Sequence, residues 1–317
     1  MKKLSIVVPA FNEEANLVPF VEAIDLVLGG IDEARRPKTE FVFVDDGSRD
    51  GTLSKLRELS DKDNRIHYLS FSRNFGKEAA LAAGLDYVAG PECDTSDYIV
   101  TMDADLQHDP KHLIEMFEAL ESGEYESAAV CRKARNDEPK LRGFLATHYY
   151  RLMSRYSEVP LKNGSMDYRM MTRGFVKAVL SLKERGRFTK GIYQWVGFRT
   201  KWIETETEAR AAGESKWTLE SLFAYAINSI IAFSSAPLKI ASVVGVFCFL
   251  VSFAYICYCV LRWVCFDHTL WGMPTFICVF MMLSGIQLFV IGILGLYISG
   301  IFRETKNRPL YIVKESK

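Results

Sequence analysis

The stretch Tyr98-Ile99-Val100-Thr101-Met102-Asp103-Ala104-Asp105-Leu106-Gln107-His108 decides the fold. Residues Tyr98 to Met102 are apolar, aromatic or β-branched, the composition of a buried strand, and they run abruptly into two carboxylates. Open α/β sheets hold their ligands just beyond the carboxyl ends of the strands. Two carboxylates there, one residue apart, form a hard-oxygen site suited to Mg²⁺ or Mn²⁺, ions that keep several waters and also bind substrate phosphates. That chemistry points to an enzyme that handles a nucleotide diphosphate. Alone, Asp-x-Asp reads first as a solvated acidic turn, so the rest of the chain has to decide.

Working outward, short apolar runs alternate with helical patterns. Leu4 to Val8, Phe41 to Val44 and Ile66 to Ser70 read as strands. Glu14 to Leu28 carries Leu17, Phe20, Val21, Ile24 and Leu28 at helical spacing. Thr52 to Ser60 and the small-residue stretch Gly76 to Tyr87 read as two further helices. Strands alternating with helices predict an α/β domain, Rossmann-like, with a mostly parallel sheet covered on both faces.

Charge and hydropathy divide the chain. Its 317 residues hold 39 Lys+Arg and 39 Asp+Glu, so no global charge argues for a nucleic-acid partner. The seven cysteines show no metal-binding spacing, which suggests a reducing compartment for the soluble part. The apolar run after Met1-Lys2-Lys3 is too short for a signal peptide. Ile240 to Leu261 and Leu270 to Phe302 contain no charged residue, and each exceeds the roughly 20 residues that cross a bilayer. Lys239 precedes the first span, and Arg303, Lys306 and Arg308 follow the second, while the loop Arg262 to Thr269 is nearly neutral. The positive-inside rule then places both termini, and the N-terminal domain, in the cytoplasm.

The expected organisation is a cytoplasmic domain over 1–218, an amphipathic segment over 219–236, and two spans (240–262 and 271–302) with a short cytoplasmic tail within 237–317. Leu222, Phe223, Ala226, Ile230 and Ile231 line one side of the amphipathic segment, which either lies in the membrane interface or packs on the domain. Gly285, Gly292, Gly295 and Gly300 would permit close helix packing in a homo-oligomer.

The first strand exits through Val7-Val8-Pro9-Ala10-Phe11-Asn12-Glu13-Glu14. No Gly-x-Gly-x-x-Gly follows, which argues against a dinucleotide enzyme. Pro9 and Phe11 offer a shelf for a base with Glu13 beside it; the same residues also suit an ordinary strand-to-helix turn with acids at the helix N-terminus. In Val44-Asp45-Asp46-Gly47-Ser48-Arg49-Asp50, a carboxylate is available for the imide N–H of uracil or the N–H of guanine, while Asp50 or Ser48 suits the next helix as a cap.

Pro9-Ala-Phe-Asn-Glu-Glu, Val44-Asp-Asp-Gly-Ser and Asp103-Ala-Asp-Leu-Gln, in this order and spacing, resemble family 2 glycosyltransferases of GT-A fold. Ser72-Arg-Asn-Phe-Gly-Lys, Asp167-Tyr-Arg-Met-Met, Gly213-Glu-Ser-Lys-Trp and the C-terminal hairpin narrow the resemblance to polyprenyl-phosphate glycosyltransferases, over residues 4 to 310. These include bactoprenol-phosphate glucosyltransferases and dolichyl-phosphate mannosyltransferases. Processive polysaccharide synthases of this fold carry Gln-x-x-Arg-Trp, where this chain has Gln194-Trp-Val-Gly-Phe.

The resemblance implies roles by position. Pro9, Phe11, Glu13, Asp45 and Asp46 would bind the nucleoside. Asp103, Ala104 and Asp105 would meet the donor diphosphate, with Asp103, Asp105 and Gln107 holding Mg²⁺ or Mn²⁺. Arg210, Ser215 and Lys216 would close over the diphosphate, and Asp105 and Asp167 would lie at the reacting centre. In the basic segment between the acidic loop and Asp167, Arg132 and Arg142 are candidates for the acceptor phosphate, because arginine binds phosphate bidentately. His112 reads as structural, and His108 carries no assignment.

A phosphate monoester is already mostly a dianion at neutral pH, its second pKa being near about 6. Such an acceptor needs no base, so Asp167 is expected to orient donor hydroxyls or a phosphate-binding arginine such as Arg169. The expected activity is transfer of one hexose, from UDP-glucose first, to undecaprenyl phosphate at the cytoplasmic membrane. GDP-mannose as donor, another lipid as acceptor, or a non-enzymatic scaffold are the alternatives.

Overall fold

The computed structural model describes residues 2–90, 96–132, 162, 164–205, 236–266 and 273–317. The first half alternates as the sequence predicts: β1 (Lys3–Ala10), α1 (Leu17–Gly29), β2 (Lys38–Asp45), α2 (Thr52–Lys62), β3 (Ile66–Phe71), α3 (Lys77–Ala89), β4 (Tyr98–Thr101). After it come α4 (His112–Glu121), β5 (Ser127–Arg132), β6 (Ser165–Thr172), α5 (Arg173–Ser181), α6 (Thr189–Trp195) and β7 (Thr200–Thr205). Two long helices, α7 (Ala236–Phe266) and α8 (Met273–Thr305), precede a last strand, β8 (Val313–Ser316).

The strands form one sheet in the order β7-β5-β6-β4-β1-β2-β3-β8. Pairs β1–β2, β1–β4, β2–β3 and β5–β7 are parallel, whereas β4–β6, β5–β6 and β3–β8 are antiparallel. The expected mostly parallel sheet is therefore a mixed one: its parallel centre is flanked by antiparallel pairs.

Side chains alternate across the strands and build a core on each face. Ile6, Val8, Phe41 and Phe43 pack with Phe20 and Ile24 of α1 and with Leu113 and Phe117 of α4. Val7, Val42 and Ile99 face the other way, onto Leu85 of α3, Phe175 of α5 and Ile192 of α6. Each such fully buried side chain contributes about 1.5–3 kcal/mol relative to exposure. The small residues of α3 let it lie close on the sheet: a Cβ on Gly84 would sit 2.3 Å from Val7 Cγ1.

Helix α1 begins at Leu17 rather than at the expected Glu14. Glu14 is engaged elsewhere, its carboxylate accepting the Gly51 N–H at 3.1 Å, and Asn12 adopts a left-handed φ of 57°. These contacts hold residues 12–16 in a turn between two loops.

The long helices differ from the rest of the chain in where their apolar groups point. Phe247 and Leu288 are 65% and 70% exposed, whereas Ile6 and Phe43 are fully buried. Stretches Pro237–Tyr255 and Val279–Thr305 have mean hydropathies of 2.0 and 2.3 and are long and apolar enough to cross a membrane. Apolar groups turned outward along such helices match a lipid surrounding better than a protein core. The amphipathic segment over 219–233 lies outside the described residues. The tail after α8 is not a free end: β8 adds to the sheet edge, pairing Leu69 with Ser316 and Phe71 with Val313.

Candidate active site

The site is built where β1, β2 and β4 end. The first two exits are tied together by hydrogen bonds. Asn12 N–H donates to Ser48 Oγ at 2.9 Å, Arg49 N–H donates to Asn12 Oδ1 at 2.9 Å, and Glu13 N–H donates to Thr52 Oγ1 at 2.9 Å. Asn16 Nδ2 donates to the Glu13 carboxylate. Pro9 is half-buried in β1, and the Phe11 ring at the rim is 38% exposed. The cap position of α2 is Gly51 rather than the expected Asp50 or Ser48: Asp50 accepts the Thr52 N–H at 3.0 Å from one residue before the cap, and Ser48 serves the neighbouring loop.

Asp45 and Asp46 end β2, and both are buried. Asp45 accepts from Ser48 N–H at 3.0 Å and from the Ser70 hydroxyl at 2.8 Å. Asp46 accepts from the backbone N–H groups of Phe75 at 2.6 Å and Gly76 at 2.9 Å, fixing the turn that starts α3. Burial raises the Asp46 pKa above its ordinary value, although those two N–H groups pull the other way. Gly47 is required between the loops: its φ is +67°, and a Cβ would meet the Arg73 carbonyl carbon at 2.5 Å.

Asp103 and Asp105 follow β4. Strand β6 runs antiparallel to β4 with Arg169 opposite Thr101, so Asp167, two residues earlier, emerges beside the acidic loop. The Thr101 hydroxyl donates to the Asp167 carbonyl oxygen at 2.8 Å and secures that register. Between the two acids sits the Lys77 ammonium, 2.7 Å from Asp103 Oδ1 and 2.8 Å from Asp167 Oδ2. Lys190 Nζ lies 3.8 Å from Asp167 Oδ1 and donates to the Ser165 carbonyl oxygen at 3.0 Å.

Burial alone would lower the Lys77 pKa, but Asp167 and Asp103 outweigh it and raise the value. Burial likewise penalises the Asp167 carboxylate, yet Lys190 and Lys77 prevail and draw it down to about 2. Both groups are thus held charged. His108 stacks on Tyr168 at 5.7 Å with Nε2 4.0 Å from Asp103, and burial lowers its pKa despite that acid.

Asp105 and Gln107 are exposed, and Asp105 Oδ1 accepts the Gln107 N–H at 3.1 Å through a turn in which Leu106 has φ 52°. Ala104 is 2% exposed, so the acids on either side project from a buried pivot. Among the described residues no three His, Cys, Asp or Glu side chains converge as a closed metal cage. The donor set nevertheless fits Mg²⁺ or Mn²⁺, ions bound through one or two carboxylates with the remaining positions left to water and phosphate oxygens. Asp105 carries lone pairs free for that purpose.

The structure overturns one expectation. Arg169 does not reach a phosphate, because it is 2% exposed. Its Nη1 donates to Ser127 Oγ at 2.9 Å, and its guanidinium lies 4.8 Å from the Tyr193 ring and 5.2 Å from Trp202. Burial pushes its pKa down to about 10. The cations that Asp167 pairs with are Lys77 and Lys190. His112, read as structural, opens α4 and meets Thr205 Oγ1 at 3.2 Å. Arg132 closes β5, whereas Arg142, Arg210, Ser215 and Lys216 lie outside the described residues.

Sequence reasoning missed Lys77, Glu78 and Lys190. Lys77 ends the quoted Ser72-Arg-Asn-Phe-Gly-Lys run, so position alone offered a signal. Glu78 accepts from Thr189 N–H at 3.0 Å and from its hydroxyl, holding the first turn of α6, and nothing local marks either it or Lys190.

With this geometry in hand, similarity to known proteins becomes informative. The glycosyl transferase family 2 profile matches residues 5–180, and the GtrB C-terminal hairpin profile matches residues 236–301. A SfII prophage-derived bactoprenol glucosyl transferase of Shigella flexneri is 36% identical over 318 residues, covering 99% of this chain and 98% of the relative. The bactoprenol glucosyl transferase of Shigella phage SfX is 34% identical over 99% of this chain and 100% of its own. A prophage bactoprenol glucosyl transferase homolog of Escherichia coli K12 is 35% identical over 99% of both chains. The two profile matches and these full-length relatives place the chain in glycosyl transferase family 2, and its mixed α/β sheet is that of a GT-A glycosyltransferase.

Proposed function

We propose that this glycosyltransferase moves a single glucose from UDP-glucose to a polyprenyl phosphate, undecaprenyl phosphate in particular, at the cytoplasmic face of the inner membrane. One observation carries the reading: Asp103 and Asp167, from separate strands, converge on the Lys77 ammonium beside the exposed Asp105. The names of the full-length relatives supply the class of sugar and lipid.

Asp103, Asp105 and Gln107 would hold Mg²⁺ or Mn²⁺, which neutralises the donor diphosphate when bound. Pro9, Phe11, Glu13, Asp45 and Asp46 would receive the uridine: Phe11 offers the open ring face, and Asp45 keeps lone pairs beyond its two hydrogen bonds. An oxygen of the acceptor phosphate attacks the anomeric carbon from the face opposite the leaving group. The new C1–O bond forms as the bond to the diphosphate breaks, the electron pair leaves with UDP, and the configuration inverts. Lys77, joined by Arg210, Ser215 and Lys216, would offset the charge that grows on UDP. Asp167, ionised and paired with lysines, positions those cations and abstracts no proton. Arg132 and Arg142 take the acceptor phosphate.

The sheet supports the membrane arrangement. Strands β1 and β8 belong to the same sheet, so two crossings return the chain to the side it left. That accords with cytoplasmic termini on a multi-pass protein. The test is a donor screen with purified protein, undecaprenyl phosphate and Mg²⁺. Label from UDP-glucose should enter a lipid that releases glucose in mild acid. A label that enters only from GDP-mannose changes the donor, and an acid-stable glycolipid refutes the acceptor.

A further inference from the structure

The end of α8 is bonded to the catalytic domain at a point that leads directly to Asp167. Glu304 lies two residues beyond the last charge-free position of the span. Its carboxylate accepts the backbone N–H groups of Arg185, at 2.9 and 3.2 Å, and Gly186, at 3.1 Å. Arg185 in turn donates from Nη2 to Asn307 Oδ1 at 2.8 Å. From Gly186 the chain needs only three residues to reach Thr189, where Glu78 holds the start of α6, and Lys190 follows at once beside Asp167.

A second anchor keeps this contact in place. The Tyr311 ring stacks on Phe71 at 5.2 Å, and its hydroxyl donates to Asp86 of α3 at 3.1 Å. Glu315 on β8 accepts from Arg57 and from the Tyr68 hydroxyl. Helix α3, which carries Lys77 and Glu78 at its first turn, is therefore bracketed between the Glu304 contact and the tail. Neither anchor belongs to the chemistry, yet together they fix the membrane helix against the two elements that present the cations.

We infer that Glu304 is a positioning residue. It docks the end of the second spanning helix on the turn before α6 and so sets the height at which a membrane-held acceptor meets Asp167, Lys190 and Lys77. The inference rests on the polyprenyl phosphate reading for its functional consequence, but the docking itself does not.

The experiment uses the full-length protein in lipid vesicles and compares wild type, Glu304→Ala and Glu304→Gln, the last keeping a carbonyl acceptor. Amide hydrogen exchange over 183–190, without substrate, should be roughly threefold faster or more in Glu304→Ala and near wild type in Glu304→Gln. With undecaprenyl phosphate in the same vesicles, Glu304→Ala should raise the acceptor KM about fivefold while the KM for UDP-glucose stays within about twofold. A short isoprenoid phosphate in solution, which needs no fixed height, should be used equally by all three proteins. Unchanged exchange overturns the docking. Equal losses on the long and the short acceptor, or on donor and acceptor KM, overturn the positioning role. A wild type that exchanges as expected but transfers nothing to undecaprenyl phosphate refutes the functional reading and leaves the docking standing.

Discussion

Two pairs of carboxylates end neighbouring regions of this sheet, and they are used in opposite ways. Asp45 and Asp46 are buried, and protein donors occupy them: a hydroxyl and three backbone N–H groups. Asp103, half-buried, stands against a lysine, and Asp105, exposed, against a single backbone N–H. The first pair organises loops and keeps only the spare lone pairs of Asp45 for a ligand, whereas in the second Asp105 is left with unspent charge. Two acids in a row therefore say little in themselves; the donors already around them decide whether they build the site or act in it.

The largest expected effect comes from the open pair. Asp105→Ala should cost about 10²–10³ in kcat, the size typical of removing one electrostatic contact to a reacting group. Its melting temperature should stay within about 2 °C of wild type, since an exposed loop acid supports little of the core. Loss of the fold in circular dichroism would break the contrast between the pairs.

Next is Asp167. Its pKa lies near about 2, below the ordinary value, so its stabilising contribution is complete above that ordinary value and fades as pH falls toward 2. Lys77 is raised, so its contribution is complete below its ordinary pKa and fades only as pH rises beyond it. Neither titrates between pH 6 and 9. Losing one charged hydrogen bond is worth about 1.5–3 kcal/mol, so Asp167→Asn should lose roughly 10- to 150-fold in kcat. Rate profiles should show the same loss throughout pH 6 to 9; recovery at high pH would make Asp167 a proton acceptor.

For the closed pair the effect moves to stability. Asp46→Ala leaves the Phe75 and Gly76 N–H groups unpaired, at about 1–3 kcal/mol each when buried. Thermal melts should fall by roughly 4–24 °C for a domain of this size. Ser48→Ala removes one exposed bond between the loops and should cost about 0.5 kcal/mol, a shift of roughly 1–2 °C. A Ser48 effect as large as that of Asp46 would mean the two loops, not the buried acid, hold the turn.

The features that were legible in the sequence are local ones. Tyr98 to Thr101 and the acids after it are contiguous, and the spans are read from uninterrupted apolar runs. Features made by distant pairing were not legible. Along β6, Asp167 and Arg169 point to the same face by the two-residue period. One lies beyond the end of β4 and stays accessible, while the other faces Thr101 under α5 and α6, and only the register tells them apart. Strand β8 carries Lys314 and Glu315 and reads as a polar tail, yet Arg57 and Tyr68 make it an edge strand. Lys190 reaches Asp167 from the first turn of α6, whose start is bonded to Glu78 of α3.

The most direct test of the central claim is metal-dependent UDP binding by titration calorimetry, with no transfer required. The wild type should bind UDP at least about tenfold tighter with Mn²⁺ than without, Asp46→Ala should keep that ratio if it remains folded, and Asp105→Ala should bind UDP equally with and without the ion. An Asp105→Ala protein that retains the full metal-dependent gain would contradict the account.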